Sequence, residues 1–408
     1  MNAPRAPLRP LDEALADLLA RAQPLAGSES VSTFDAVGRV LVQGLVSPLQ
    51  VPPQDNSSMD GYAVRCADIS PGAVLRVSQR VPAGAAPEPL EPGTVARIFT
   101  GAPVPPGADA IVMQEETEPA GEHVVRFART PARGDWIRRS GEDVKLGAVV
   151  LARGDRLSAA SLGLAASIGA ATLEVARRPR VALFSTGDEL VMPGEVPPEA
   201  MRPGAIYNSN RFFLRALLKG LGCEVTDFGI VPDQRHVTVR ALVEASQGHD
   251  LILTSGGVSV GEEDHIKPAV QQLGSLDLWQ IAMKPGKPFA YGRVETAHFI
   301  GLPGNPVSSF VTFVLLVRPF LLKLQGAHAL APRAVELPAH FEWPRADKRR
   351  EFLRVRRNGN GGLELFPNQS SGVLTSVTWA DGLVDNPAGR TIAIGDTVSF
   401  LPLAELLA

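Results

Sequence analysis

The segment richest in chemistry is Thr254-Ser-Gly-Gly-Val-Ser-Val-Gly-Glu-Glu-Asp264, which follows the apolar run Leu251-Ile-Leu253. A short apolar run bounded by turn residues reads as a buried strand, and Gly256, Gly257 and Gly261 allow a sharp turn at its tip. Such a turn exposes backbone N–H groups with no side chain in the way, which is what a phosphate or other oxyanion needs. The segment closes on Asp264, a carboxylate able to hold a hard metal ion beside that anion. Strand tip, Gly/Ser loop and acid together have the make-up of a nucleotide-type site. Taken alone, the loop also reads as a structural turn.

Other acids occupy glycine-containing loops: Asp60 in Asn56-Ser-Ser-Met-Asp-Gly61, Asp143 in Ser140-Gly-Glu-Asp143, Asp188 and Glu189 in Ser185-Thr-Gly-Asp-Glu-Leu190, and Asp233 nearer the Gly loop. Each by itself reads equally as a turn or cap residue. Those beyond residue 179 follow expected strands or precede expected helices, a placement that favours convergence on one crevice. Positive charge comes from Met283-Lys-Pro-Gly-Lys-Pro288, whose prolines stiffen the loop so that Lys284 and Lys287 are expected as fixed point charges for phosphates. Leu302-Pro-Gly-Asn-Pro-Val-Ser308 is a strand-to-helix turn with Pro306 at the first helical position, its N–H groups expected to face a ligand over the sheet. Seven basic residues fall between Arg345 and Arg357, and strand alternation would put about half on one face, either solvated surface or an anion site.

The elements that must position these residues follow from periodicity. Pro10 to Ala20 has helical spacing with acids in its first turn, a second short helix is expected over Ser32 to Leu41, and the Pro-rich Ser47 to Pro53 ends it. From about residue 56 to 143, short β-type runs such as Val74–Val77, Val95–Phe99 and Ala110–Met113 alternate with Gly and Pro, and Ser158 to Ile168 then reads as a helix. From Pro179 strands and helices alternate: strand Val181–Phe184, helix Asn210–Leu221 with Gly222 past its end, helix Arg235–Ala245 with Asp233 as cap, strand 251–254, and Phe299–Leu302. Gly326 to Pro332 reads as a linker, and alternation at Val335–Pro338, Phe352–Arg356 and Thr391–Ile394 implies strands.

The fold class expected is therefore a multidomain α/β protein with β modules. A central parallel α/β domain over 179–326 would carry ligands beyond its C-terminal strand ends. An inserted small β domain is expected over 51–144, a discontinuous N-terminal helical and linker domain over 1–50 and 145–178, and a small β-barrel-like domain over 332–408.

The 408 residues, 45% hydrophobic and 20% charged, suit several globular cores. A formal net charge of -3 argues against a general nucleic-acid or anionic-membrane binder. Cys66 and Cys223 form no CxxC, and the histidines give no His-x-x-x-His pair, so Mg2+ on oxygen ligands is expected before zinc or iron. The N-terminus lacks a signal pattern, and the apolar stretch Val307 to Leu324 is interrupted by Arg318 and Pro319, so it reads as a buried helix with a break. A cytoplasmic location is the expectation.

In order, the blocks Asp55–Ala63, Phe99–Pro103, Ser140–Asp143, Ser185–Leu190, Thr254–Asp264, Lys284–Pro288 and Gly301–Ser308 carry a resemblance. Over essentially its whole length the chain resembles the MoeA/gephyrin E-domain family of molybdopterin molybdenumtransferases. The resemblance implies insertion of molybdate into the dithiolene of adenylylated molybdopterin, with release of AMP. The substrate would supply both sulfur ligands, which accounts for the lack of a Cys/His cluster. It further implies catalytic or polar roles for Asp60, Thr100, Asp143, Asp233 and Lys284, and Mg2+ on Glu189 and Asp264. Substrate contacts would come from Ser255, Gly256, Gly257, Ser259, Lys287, Pro303, Gly304, Asn305, Pro306 and Ser308, with Arg349 and Ser371 closing the site. A homodimer whose site combines the β module of one subunit with the α/β domain of the other is implied too, as is contact with the molybdopterin adenylyltransferase. One departure is Gln280 after Trp279, where some members of the family carry lysine; Arg293 or another base is a candidate to compensate. The competing readings are the adenylyltransferase itself, a gephyrin-like binding scaffold and a nucleotide pyrophosphatase.

Overall fold

The computed structural model describes residues 8–232, 234–257 and 265–407. Its centre is a six-stranded sheet in the order Glu224–Val231, Arg180–Thr186, Leu251–Ser255, Ala297–Leu302, Pro288–Val294 and Gly274–Gln280. The first four strands are parallel, and the last two join antiparallel, so the expected parallel sheet is mixed. Successive side chains of a strand face opposite sides, and the core divides that way. Val181, Leu183, Leu251, Leu253, Ile300 and Leu302 enter one buried cluster, while Ala182, Phe184, Ile252 and Phe299 enter the other. Each fully buried Leu or Phe contributes about 1.5–3 kcal/mol to holding the layers together.

One face is covered by helices Leu11–Arg21 and Ser209–Gly220 and by the helical stretch Pro306–Leu324; the other by Arg235–Ser246 and Ile266–Leu273. The first helix buries Leu11, Ala14 and Leu18, one stripe at helical spacing. Pro306–Leu324 does not break. Pro319 has no N–H for the Leu315 carbonyl, and the chain widens through a π turn at Phe313–Val317 before continuing to Leu324. This stretch is long and apolar enough to cross a membrane, but 89% of it is buried inside the protein.

A second six-stranded sheet lies within residues 61–127, from Gly61–Val64 to Val124–Phe127. A narrow neck joins it to the rest, where Val51 bridges Val144 and Asp55 receives hydrogen bonds from Arg139 and the Ser140 amide. A third sheet runs Met283–Lys284, Arg350–Arg357, Gly382–Asn386, Thr397–Pro402 and Val335–Pro338. The Lys-Pro-Gly-Lys-Pro segment thus begins as an edge strand of that C-terminal sheet.

Two elements differ from expectation. Residues 32–41 form the end of a strand, Ser28–Ser32, and one 3-10 turn, Thr33–Asp35, because distant segments take the backbone on both sides of the turn: Ser28–Ser32 pairs with Thr172–Ala176, and residues 38–41 bond to 154–157 and to Ala176. Thr391–Ile394 makes only an isolated bridge at Ile392; the strand is Thr397–Pro402, placed by pairing with Gly382–Asn386.

Candidate functional site

Three neighbouring parallel strands end side by side, with Ser185 opposite Ser255 and Ser255 opposite Leu302. Each then turns sharply. Gly187 follows the first strand, Gly256 and Gly257 the second, and Pro303-Gly-Asn-Pro306 the third. Gly256 and Gly257 have φ of 92° and 66°, the region open to glycine. A Cβ on Gly256 would lie 2.8 Å from the Thr186 carbonyl oxygen, so this turn packs directly on its neighbour. The Gly256 amide donates to the Leu302 carbonyl at 3.0 Å, which ties the second turn to the third. Asn210, buried in the first turn of its helix, donates from Nδ2 to the Gly304 carbonyl at 2.7 Å and fixes the third.

These turns floor a cavity of about 670 Å³, which fits the crevice expected beyond C-terminal strand ends. Among the residues read from sequence, Glu189, Ser255, Gly256, Gly257, Pro303, Gly304, Asn305, Pro306 and Ser308 line it. Asn208 and Thr186 line it too, and each keeps a buried polar atom without a partner among the described residues: Asn208 Nδ2 and Thr186 Oγ1. Buried polar groups are ordinarily paired, so these orphans mark where a ligand's polar atoms fit. Glu189 is exposed on the lining. Its carboxylate offers oxygen donors of the kind a hard divalent cation takes. Among the described residues no three His, Cys, Asp or Glu side chains cluster as a metal site.

The expected cations are arranged differently from the sequence reading. Lys284 Nζ sits 3.0 Å from Glu351 Oε1 and 3.3 Å from Asp347 Oδ2, so it is an ion-paired lysine and not a free point charge. Glu351 is buried and takes a second hydrogen bond from Trp343 Nε1 at 2.7 Å. Arg349 forks onto Asp347 with both hydrogen bonds at 2.9–3.0 Å, and this holds the Asp347 carboxyl well below the usual carboxylate range. Arg349 is thus bound to Asp347 and does not line the cavity. Arg354 is buried, Arg350 pairs with Asp385, and Arg356 pairs with Glu364, while Arg345, Lys348, Arg356 and Arg357 are exposed; the basic run is therefore divided between enclosed and solvated positions, and none of it lines the cavity. Arg293, the candidate to compensate for Gln280, is held by the Thr296 carbonyl and the His298 ring. The Val307 amide at the helix start is taken by the Ser371 carbonyl at 3.0 Å, and the neighbouring Gly372 lines the cavity.

Asp60, Thr100 and Asp143 do not line this cavity. Asp60 Oδ1 accepts from the Thr100 amide at 2.8 Å and hydroxyl at 2.9 Å, contacts that lower its pKa. Asp143 is exposed in the neck, its amide bonded to Val51. Lys287 lies beside the lining residue Pro288. Asp233, Ser259 and Asp264 lie outside the described residues. Sequence reasoning missed Asn208, Asn210 and Glu351. For the two asparagines the available signal was Asn208-Ser-Asn210 before a helix, a pattern that reads first as capping: Asn208 does cap, accepting from the Arg211 amide at 3.2 Å.

A cavity of turn backbone and polar side chains at the C-terminal edge of an α/β/α sandwich, with β modules on both sides in sequence, defines the class of multidomain α/β proteins whose candidate ligand site lies over a sheet edge. The comparisons with known proteins narrow it. Residues 9–169 match the model of the MoeA N-terminal region (domain I and II), 182–323 a probable molybdopterin binding domain, and 336–403 the MoeA C-terminal region (domain IV). The chain is 38% identical to a molybdopterin molybdenumtransferase of Haemophilus influenzae, across 97% of this chain and 99% of that one. It is 36% identical to one from Nostoc sp., across 92% and 89%. The structure of a molybdopterin biosynthesis MoeA protein from Pyrococcus horikoshii superposes with a TM-score of 0.82 at 29% identity, covering 97% of this chain and all of that one. The chain belongs to the MoeA family.

Proposed function

We propose that this chain is a molybdopterin molybdenumtransferase, an enzyme that takes adenylylated molybdopterin and molybdate and yields the molybdenum cofactor and AMP. The observation that carries the reading is the convergence of Glu189, the Gly256-Gly257 turn and the Pro303–Pro306 turn on one cavity with unpartnered buried polar atoms. Relatives carrying that name align over nearly the full chain.

In this reading the Gly256 and Gly257 turn and Ser308 hold phosphate oxygens, and Asn208 Nδ2 donates to the substrate. Asn210 positions Gly304 through its carbonyl. Glu189 holds a divalent cation, Mg2+ on the chemistry of its oxygen donors, together with Asp264 by motif. When bound, that ion would neutralise charge on the phosphoryl oxygens as the phosphoanhydride is cleaved. Lys284, as a Glu351-paired lysine, and Lys287 flank the anion; Asp233 and Ser259 enter by motif alone. Asp60, Thr100 and Asp143 act from the β module of a partner subunit in a homodimer, a reading supported by their position away from the cavity lining. A cytoplasmic enzyme that receives substrate by contact with the adenylyltransferase completes the proposal.

The test is AMP release from adenylylated molybdopterin with Mg2+, with and without molybdate, on wild type and Glu189→Ala. Release that needs molybdate and collapses in the variant is the expected result. Release without molybdate would make the protein a pyrophosphatase. No release in either condition would refute the transferase and leave the adenylyltransferase or a binding scaffold.

A further inference from the structure

Arg354, on the strand Arg350–Arg357, is 1% exposed and has no carboxylate partner among the described residues. Burial alone pushes its pKa down to about 10. An unpaired buried cation is costly, and an apolar side chain of similar length would fill the same space. What guanidinium adds is donors. Nη1 donates to the Phe352 carbonyl at 3.0 Å, Nε to Ser376 Oγ at 3.2 Å, and Nη2 to the Ser370 carbonyl at 3.4 Å. The backbone of the same residue is bracketed by Gln369, whose Oε1 accepts from the Arg354 amide and whose Nε2 donates to its carbonyl, both at 2.9 Å. Ser376 in turn donates to the Val373 carbonyl at 2.7 Å. The loop is therefore tied at several points to one buried residue. Its other side reaches the cavity: Ser371 accepts from the Val307 amide, and Gly372 is part of the lining.

We propose that Arg354 is a positioning residue for the anion cavity, its guanidinium and Gln369 together seating the 369–373 loop so that Ser371 and Gly372 close the cavity against the helix start at Val307. This rests on the reading of that cavity as the transferase site. Loosening the loop weakens the hold on the oxyanion more than it slows the chemical step.

The experiment compares Arg354→Met, Gln369→Ala, Ser376→Ala and the Arg354→Met/Ser376→Ala pair by three readouts. These are kcat and KM for molybdate in AMP release, calorimetric affinity for inorganic molybdate, and hydrogen exchange of the Val307 amide and residues 369–376. The expected result for Arg354→Met is a molybdate KM and Kd raised roughly tenfold, the size of one charge-assisted hydrogen-bond set, with kcat nearly unchanged. Exchange at Val307 and the loop speeds up, and the double variant is little worse than Arg354→Met alone, because Ser376 acts through its bond from Arg354. Gln369→Ala, half-exposed and less disruptive, shifts each quantity the same way by a smaller factor; it carries the test if Arg354→Met does not fold. Additive effects of the paired substitutions, or exchange and molybdate affinity like wild type, overturn the proposal. If wild type releases no AMP the transferase reading fails, whereas calorimetry and exchange still decide the role of Arg354.

Discussion

Replacing Gly256 by alanine tests whether the floor of the cavity depends on backbone packing that only glycine permits. At φ 92° an alanine costs about 1–2 kcal/mol from backbone strain alone. Its Cβ would also stand 2.8 Å from the Thr186 carbonyl oxygen and 3.3 Å from Thr186 Oγ1, a rigid strand end, which adds about 1–3 kcal/mol of overpacking. Gly248 provides the control. Its φ is 86°, and nothing lies within 4 Å of a Cβ built there, so Gly248→Ala has the strain without the collision. Both glycines belong to the same α/β unit, so urea unfolding of the two variants can be read in the same transition. The expected outcome is a loss of about 1–2 kcal/mol for Gly248→Ala with full AMP release. For Gly256→Ala it is a loss of about 2–5 kcal/mol, with AMP release reduced at least tenfold even where the protein is folded, because relief of the clash moves the turn that Ser255 and Gly257 share. Equal destabilisation and equal activity in the two variants would refute the argument.

Glu351→Gln leaves Lys284 with one carboxylate partner and keeps an oxygen for Trp343 Nε1; molybdate affinity by calorimetry should rise several-fold, and an unchanged or weaker affinity would show that Lys284 does not face the anion. Burial, assisted by Arg293, pushes the His298 pKa down to about 4, so the unfolded chain takes up this proton first as pH falls below 6.5. Its contribution, up to about 3 kcal/mol, is present above 6.5 and lost as pH falls towards 4. His298→Gln should flatten the stability-pH curve in that window, and a curve parallel to wild type would contradict it. Burial alone would raise the Asp250 pKa, but the Arg177 fork at 2.6–2.8 Å and the Arg180 amide outweigh it and lower the value. Asp250→Asn should therefore cost about 1–3 kcal/mol at pH 7. That difference should shrink as pH drops through the folded-state value, and a pH-independent difference by urea titration would rule the ion pair out as its source.

Much of the central sheet was legible because its strands are short apolar runs ended by glycine or proline. Val181–Phe184 and Leu251–Leu253 lie inside the strands Arg180–Thr186 and Leu251–Ser255. Local signals served equally well: Ser158 caps the helix Ala159–Ser167, Gly222 follows the helix Ser209–Gly220 with φ 79°, and Pro306 opens its helix. The strand Thr397–Pro402 was not legible, since a half-buried strand is selected by its neighbour and Thr391–Ile394 has the same alternation without the partner. The same holds for Ser32 to Leu41, whose helical spacing loses to backbone hydrogen bonds with residues 154–157 and with the strand Thr172–Ala176.

What the sequence determines by itself is the set of turn chemistries at the strand tips, because φ preference and missing side chains are properties of Gly256, Gly257 and Pro306 wherever they stand. Only the tertiary structure decides which charges are available to a ligand. Lys284 and Arg349 read as free cations in a basic, proline-stiffened context, yet Glu351 and Asp347, more than 60 residues from Lys284 in the chain, neutralise them. Arg354 reads as one of a basic run, and folding encloses it. Coulomb and desolvation energies depend on separation in space and on exclusion of water, and neither quantity is written along the chain.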